Sequence, residues 1–371
     1  MGYKLTGGKV YDPDFTFRER DVFIKDGVFS GEEEGFETLD VSGMYVIPGL
    51  TDIHFHGCKG HDFCEGKSEV IQLMADYEES RGVTTISPAT MTYPEEKLTG
   101  IMNAAKEFPN EKGAALVGIN MEGPFISMEK KGAQNPAYIE KPDADMFDRL
   151  NEASGGLIKL VALSPEVPGA DEFIQREKER VVISFAHSDA DYETALNAFK
   201  NGVHHMTHIF NAMRGMHHRN PGPIFAASES GVEAELIADG VHIHPSVVRG
   251  AFKLFGEDRV IFISDSMEAT GMEDGDYELG GQKVKKKGRL ATLEDGTIAG
   301  SATDLMGCLK NAVVEMGIPL ETAVRCAAVN PAKSIGIYDR YGSIEKGKAA
   351  NLVILDRDLN VCKVFNRGEQ I

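Results

Sequence analysis

The chain has 371 residues, 42% of them hydrophobic and 26% charged, which is enough for one large α/β domain, alone or with a small companion. Its 58 acidic residues outnumber 39 basic ones, and the net charge of −19 repels nucleic acid and anionic membrane surfaces, so an anionic ligand needs a local cationic pocket. Five cysteines without a CxxC pair, no leader-like opening and no long apolar run predict a reduced, cytoplasmic protein that does not cross a membrane.

Residues 1–46 alternate short apolar runs with turns, and Asp26-Gly27 between two such runs is a hairpin signal. A sheet this small closes no core alone. Its partner is predicted at the other end of the chain, where 351–356 and 361–365 read as strands. The expectation is one small β-sandwich built from residues 1–46 and 341–371.

Residues 47–340 alternate strand-like apolar runs with helical spacing. Val70, Ile71, Leu73, Met74 and Tyr77 mark a helix that Gly82 stops. Strands are predicted at 83–87, 114–121, 157–163, 181–186, 236–238 and 259–263. Helices are predicted at 95–108, 190–200, 246–255, 305–316 and 320–328. Such βα repetition over roughly 300 residues predicts a (β/α)8 TIM-like barrel, with an open doubly wound sheet as the alternative. Residues 271–299 break the pattern; Gly280-Gly281 and the lysine-rich stretch 283–289 predict an inserted β-ribbon with its lysines in solvent.

In such a barrel, functional side chains sit at the carboxyl ends of strands. Pro48-Gly49-Leu50-Thr51-Asp52-Ile53-His54-Phe55-His56-Gly57 leads an apolar run into two histidines. On a strand, His54 and His56 share one face and Ile53 and Phe55 take the other, which makes half of a metal site. Glu122, His187, His208 and Asp265 each stand where another apolar run stops. They fall on the third, fifth, sixth and eighth strands, with the histidine pair on the first, all facing one mouth. Singly, each has an ordinary explanation: a hydrogen-bonded loop histidine, a turn glutamate before Gly-Pro, an N-cap aspartate. Together they form a donor set for a divalent metal such as zinc. His61, His204, His205, His217 and His218 receive no ligand role, and no P-loop or Rossmann glycine pattern is present.

The HxH pair after Pro-Gly, Met121-Glu122-Gly123-Pro124-Phe125, Ala186-His187-Ser188, Thr207-His208-Ile209-Phe210-Asn211-Ala212-Met213 and Ser264-Asp265 together resemble the amidohydrolase superfamily. The second and fourth of these segments, with Asp239-Gly240-Val241-His242, are similar to its family of N-acetylglucosamine-6-phosphate deacetylases, and the likeness runs nearly end to end. The HxH pair is shared superfamily-wide, whereas the Glu122 and His208 segments as a pair are far more specific.

That resemblance implies a homodimeric hydrolase of amino-sugar catabolism that removes acetate from N-acetyl-D-glucosamine 6-phosphate to give D-glucosamine 6-phosphate. It implies one or two divalent ions, zinc first, with iron, manganese and cobalt as the other choices. Glu122, His187 and His208 match the ligands of the common metal site, His54 and His56 those of a second, variable site, and Asp265 the catalytic aspartate. Ala133, Gln134, Asn211, Ala212, Asp239, Gly240, Val241, His242, Ile298, Ala299 and Gly300 match substrate-binding segments. Arg219 matches an arginine that binds the sugar phosphate across a dimer interface. Gln134 departs from the pattern, because many members carry histidine there, and glutamine donates a hydrogen bond without ever being cationic.

Two alternatives are weighed. One is another amidohydrolase activity on a cyclic amide or other N-acyl substrate, many of which use a carboxylated lysine on the fourth strand; here Lys159 lies mid-strand. The other is a non-catalytic sugar-phosphate sensor, which is expected to have lost Asp265 or a ligand.

Overall fold

Eight parallel strands form the centre of the computed structural model, which describes residues 2–32 and 34–371; Met1 and Glu33, both in the expected first segment, lie outside the described residues. The strands are β1 (Leu50–Asp52), β2 (Val83–Ile86), β3 in two pieces (Ala115–Leu116 and Ile119–Met121), β4 (Ile158–Leu163), β5 (Val182–Phe185), β6 (His205–Met206), β7 (Glu233–Ile237) and β8 (Val260–Ile263). Each pairs in parallel with the next, the first piece of β3 with β2 and the second with β4. Past the end of β8, the Asp265 N–H donates to the His54 carbonyl at 2.9 Å, which closes the ring as expected for a barrel and not for an open sheet.

Strands covered on both faces read as unbroken apolar runs, and β8, Val-Ile-Phe-Ile, is buried at every position. Ile53, Leu160, Ile237, Ile261 and Ile263 form a cluster of their own, separate from the larger core in which strands meet helices.

Helices follow where the spacing predicts them, at Ser68–Ser80, Glu95–Glu107, Tyr192–Asn201, Pro245–Phe255 and Leu305–Val314. Three more escaped the sequence reading: Ala144–Ala153, Ala170–Glu177 and Gly222–Glu229. Each is short, with few apolar positions to set a period; Ala144–Ala153 buries only Met146, Phe147 and Leu150 and is started by its cap, Asp143 accepting from the N–H groups of Asp145 and Met146. The segment expected as one helix over 320–328 runs further, from Leu320–Val324 through a π turn at Arg325–Val329 into Asn330–Ser334.

The two ends of the chain build the sandwich. One sheet orders Val28–Phe29, Val22–Lys25, Gly2–Thr6 and Glu37–Asp40; the other orders Glu369–Gln370, Val361–Asn366, Leu352–Leu355, Tyr45–Pro48, Lys9–Tyr11 and Phe17–Glu19. Leu5, Val22, Ile24, Val46, Leu352, Ile354 and Phe365 share the core of this unit. Gly49 passes the chain from sandwich to barrel, where a Cβ would come within 2.2 Å of Thr84 Oγ1.

The insertion is a three-stranded antiparallel sheet, Gly275–Leu279, Gln282–Lys287 and Leu290–Leu293. Lys283, Lys285 and Lys287 are exposed, but Lys286 corrects the expectation of solvated lysines. Strand alternation turns it to the inner face, where it is buried with its Nζ 3.3 Å from Asp274 Oδ1.

Candidate active site

The histidine pair sits differently from the sequence reading. Strand β1 ends at Asp52, so His54 and His56 lie in the extended segment just beyond it. Their alternation survives because Ile53 and Phe55 are each fully buried in separate apolar clusters. The two imidazoles then meet at 5.5 Å between ring centroids.

After β5, β6 and β8 the chain turns sharply. His187, His208 and Asp265 have φ of +45°, +26° and +49°, a left-handed conformation that costs a non-glycine residue free energy and that clusters at functional sites. Glu122 follows β3, and the next residue, Gly123, has φ +89°, where a Cβ would stand 2.1 Å from Thr92 Oγ1. Only glycine fits behind this glutamate.

The side chains converge on Glu122. Its Oε1 lies 3.1 Å from His187 Nε2, 3.1 Å from His208 Nε2 and 3.4 Å from His54 Nε2, and its Oε2 lies 3.4 Å from His56 Nε2. Two overlapping sets result, His54–His56–Glu122 and Glu122–His187–His208, with the ligand atoms of each set within 4.8 Å of one another. Asp265 Oδ1 is 3.6 Å from His54 Nε2 and 3.4 Å from His56 Nε2.

Burial and charge oppose each other here. Burial pushes the Glu122 carboxyl up, but His54, His187 and His208 outweigh it and hold it well below the usual range. Burial likewise opposes ionisation of Asp265, and the hydrogen bond from His56 with the charge of His54 keeps its carboxyl below its ordinary value. For His54 and His56 burial disfavours the cation, yet the facing carboxylates raise both.

The donor set fits a divalent metal. Four imidazoles and a central carboxylate are buried together, and among the described residues no lysine or arginine pairs with the carboxylate. His54 Nε2 has no hydrogen-bond partner among the described residues and points at the cluster, while its Nδ1 is 2.9 Å from Glu235 Oε2. His187 Nδ1 donates to the Lys130 carbonyl at 2.9 Å, which frees its Nε2 in the same way. Nε2 ligation with Nδ1–H anchored is the usual disposition of a metal-binding histidine.

A cleft of about 400 Å³ opens above the cluster. It is lined by His56, Glu122, His187, His208 and Asp265 and by Ala133, Gln134, Asn211, Ala212, His242, Ile298 and Gly300. The remaining residues named from the sequence lie outside the lining. His54 is beneath it, Ala299 is buried, and Asp239, Gly240 and Val241 form the turn behind His242, whose Nδ1 is 2.8 Å from Asp239 Oδ2. Arg219 is exposed on a loop, bonded to His218 Nε2 at 2.8 Å, and does not line the cleft of its own chain. Gln134 is held at both ends of its amide, accepting from Thr92 N–H at 2.7 Å and donating to Glu122 Oε2 at 2.6 Å.

Sequence reasoning missed Met91, Glu129, Lys130, Gly132, Leu279 and Thr297 in the lining, which come from loops, a short 3-10 helix and the inserted sheet without a strand-end signal. It also missed Glu235. Its signal was faint: Glu233 and Glu235 alternate in Val232-Glu233-Ala234-Glu235-Leu236-Ile237, which reads as the polar face of a strand.

The amidohydrolase family model matches residues 45–371. The N-acetylglucosamine-6-phosphate deacetylase of Bacillus subtilis (strain 168) is 38% identical over 330 residues, covering 87% of this chain and 83% of that protein. An N-acetylgalactosamine-6-phosphate deacetylase of Escherichia coli O157:H7 is 31% identical over 377 residues, covering 100% and 99%. Among solved structures, N-acetylglucosamine-6-phosphate deacetylase from Pasteurella multocida superposes with a TM-score of 0.95 at 27% identity over the whole of both chains. The Mycobacterium smegmatis enzyme, solved as an alanine mutant in complex with N-acetyl-D-glucosamine-6-phosphate, superposes with a TM-score of 0.93 at 30% identity, covering 100% of this chain and 99% of that one. Matched over most of its length by the family model, and sharing the fold of deacetylases whose sequences it resembles, this chain belongs to the amidohydrolase family.

Proposed function

We propose that the protein is a metal-dependent deacetylase that hydrolyses the acetamide of N-acetyl-D-glucosamine 6-phosphate to D-glucosamine 6-phosphate and acetate. The observation that carries this reading is the placement of Asp265, a buried carboxylate held ionised, over the floor of a cleft built on Glu122, His187 and His208. A 38% identical relative that bears this activity supports the choice of substrate.

Glu122, His187 and His208 would hold one ion, and His54 and His56, sharing Glu122, a second. Imidazole and carboxylate suit zinc first, with iron, manganese and cobalt as rivals. When bound, the metal supplies a Lewis acid beside the amide carbonyl. The chain's own groups do the rest. Asp265 accepts a proton from the attacking water and returns it to the departing nitrogen, so that one C–O bond forms as the C–N bond breaks and the proton count balances. His242, fixed by Asp239, faces the sugar from the far wall. Gln134, with its amide committed to Thr92 and Glu122, steadies the carboxylate and does not act as an electrophile.

Among the described residues Lys130 is the one permanently cationic side chain lining the cleft; it lies beside Glu129 and 3.5 Å from Asp189, and a sugar phosphate needs more than one counter-charge. Arg219, exposed on its loop, supplies it from a second copy of the chain, which makes the functional unit a homodimer. The five cysteines are all free, four of them buried, which supports a reducing, cytoplasmic setting. Among the described residues no helix is long and apolar enough to cross a membrane.

Metal analysis of the purified protein beside acetate release from N-acetylglucosamine 6-phosphate, its galacto epimer and the unphosphorylated sugar tests this reading. Rapid release from the first alone is expected, and the epimer is included because one relative acts on it. Release that ignores the phosphate would sink the substrate assignment.

A further inference from the structure

Strand β7 carries a charge where its neighbours carry none. Glu235 lies between Ala234 and Leu236 and is fully buried. Taking a carboxylate out of water costs several kcal/mol unless partners replace the solvent. Its partners are specific. Oε2 is 2.9 Å from His54 Nδ1 and accepts the backbone N–H of His208 at 3.2 Å. Oε1 faces His205 Nε2 at 3.8 Å. His205 is itself held from behind, its Nδ1 3.0 Å from Ser184 Oγ, which is 2.5 Å from Thr207 Oγ1. The network links β5, β6 and β7 beneath the ligand cluster, and Glu235, His205, Ser184 and Thr207 do not line the cleft.

A carboxylate only accepts, so the nitrogen facing it must carry the proton. His54 thereby keeps its Nδ1–H on Glu235, and when the ring gives up its other proton to an ion, it is Nε2 on the Glu122 side that is left to bind. A glutamine at 235 could turn either its oxygen or its N–H to His54 and would leave that choice open. His187 has a separate anchor, the Lys130 carbonyl, so the Glu122–His187–His208 set does not rest on Glu235 through that ring.

We propose that Glu235 is the positioning residue of the histidine pair. By holding His54 Nδ1 and the His208 backbone at one oxygen, it sets whether His54 and His56 bind an ion beside the one held by Glu122, His187 and His208. This rests on the reading of His54 and His56 as ligands. Removing such a partner typically lowers metal affinity about 10–100-fold, and here the loss falls on the second ion.

The test titrates metal-free, full-length protein with Co²⁺, reading the d–d absorption bands and the metal bound per chain, for wild type, His54→Ala, Glu235→Gln and Glu235→Asp. Aspartate keeps the charge but is one methylene too short to reach His54. The expected result is two ions in wild type and one in His54→Ala. Both Glu235 variants should keep the first ion and bind the second about 10–100-fold more weakly. A Glu235→Gln protein that binds the second ion as wild type does overturns the proposal and leaves the ligand reading standing. Equal weakening of both ions overturns it too, because a merely structural glutamate disturbs the whole cluster. A wild type that binds one ion and is indifferent to His54→Ala overturns the ligand reading and the proposal together. If circular dichroism shows that the metal-free Glu235→Gln chain does not fold, Glu235→Asp decides on the same criterion.

Discussion

Asp265 approaches both histidines of the pair through one oxygen, Oδ1, and in the proposed mechanism the other serves the water and the amide nitrogen. Its neighbours hold its carboxyl below its ordinary value despite burial, which favours the ionised form that the proposed role as base requires. Asp265→Asn keeps the shape and removes the base, so kcat is expected to fall by about 10²–10⁴-fold while metal content and substrate Kd stay near wild type; near-normal turnover would refute the assignment. A second residue-scale prediction concerns Asp239 and His242. Burial disfavours both charges, yet each raises or lowers the other: His242 stands above its ordinary 6.5 and Asp239 below its ordinary 3.8. Stability from His242 is fully present below the unfolded value of 6.5 and is lost as pH rises through the higher folded value. Stability from Asp239 is present above 3.8 and is lost as pH falls through the lower folded value. The pair is therefore whole in weakly acidic solution and weakens on the alkaline side. Asp239→Asn should cost about 3 kcal/mol near pH 6 and less at pH 9, measured by urea unfolding of the metal-free protein; a loss independent of pH would count against the ion pair.

The inserted sheet is the element whose role was least visible in the sequence. It packs Gln282 against the Ala133 carbonyl, and Leu279 with Thr297 and Ile298 just beyond it form a wall of the cleft. Replacing residues 275–293 by a short Gly-Ser link should leave metal content intact and raise KM roughly tenfold, about 1.4 kcal/mol of binding. A collapse of metal content would mean that the sheet supports the ligands and not the substrate. The fold's large periods were legible because burial writes them directly. Buried strands such as β8 are unbroken apolar runs, and long helices such as Ser68–Ser80 repeat their apolar faces several times. Short helices repeat too few times to be seen, as with Ala144–Ala153. The ligands were legible because each breaks an apolar run at its end. Glu235 breaks one in its middle, where position along the strand gives no hint of which way the side chain must point. The end of β1 was misplaced for a related reason, since apolar Ile53 and Phe55 continue the pattern of a strand beyond its last regular pairing at Asp52, although the chain there still bonds to its neighbours.

At the scale of the molecule, a chain of net charge −19 has to bring a dianionic sugar phosphate to an acidic surface. Within one copy the cleft offers Lys130 and the protonatable His242, while Arg219 projects away on its loop. In the proposed homodimer, Arg219 of a second copy would add the cationic charge that one copy's cleft lacks. Arg219→Ala is therefore expected to raise KM for N-acetylglucosamine 6-phosphate at least about tenfold, with little change for the unphosphorylated sugar, and added salt should narrow the gap. An equal effect on both sugars would remove Arg219 from the phosphate.

The sandwich has a consequence for the order in which the protein can be made. Tyr45–Pro48 pairs at all four positions with Leu352–Leu355, so the strand that leads into the barrel stays without this neighbour until roughly 300 further residues have been made. At ribosomal rates the interval is roughly 15–60 s. Throughout it, Val46 and Leu5 lack the core that Leu352, Ile354 and Phe365 supply. The barrel can condense as its βα units emerge, but the segment that precedes it finds its place only after the barrel has been made. A nascent chain stalled before residue 352 should expose its first forty or so residues to protease while the barrel behind them already resists.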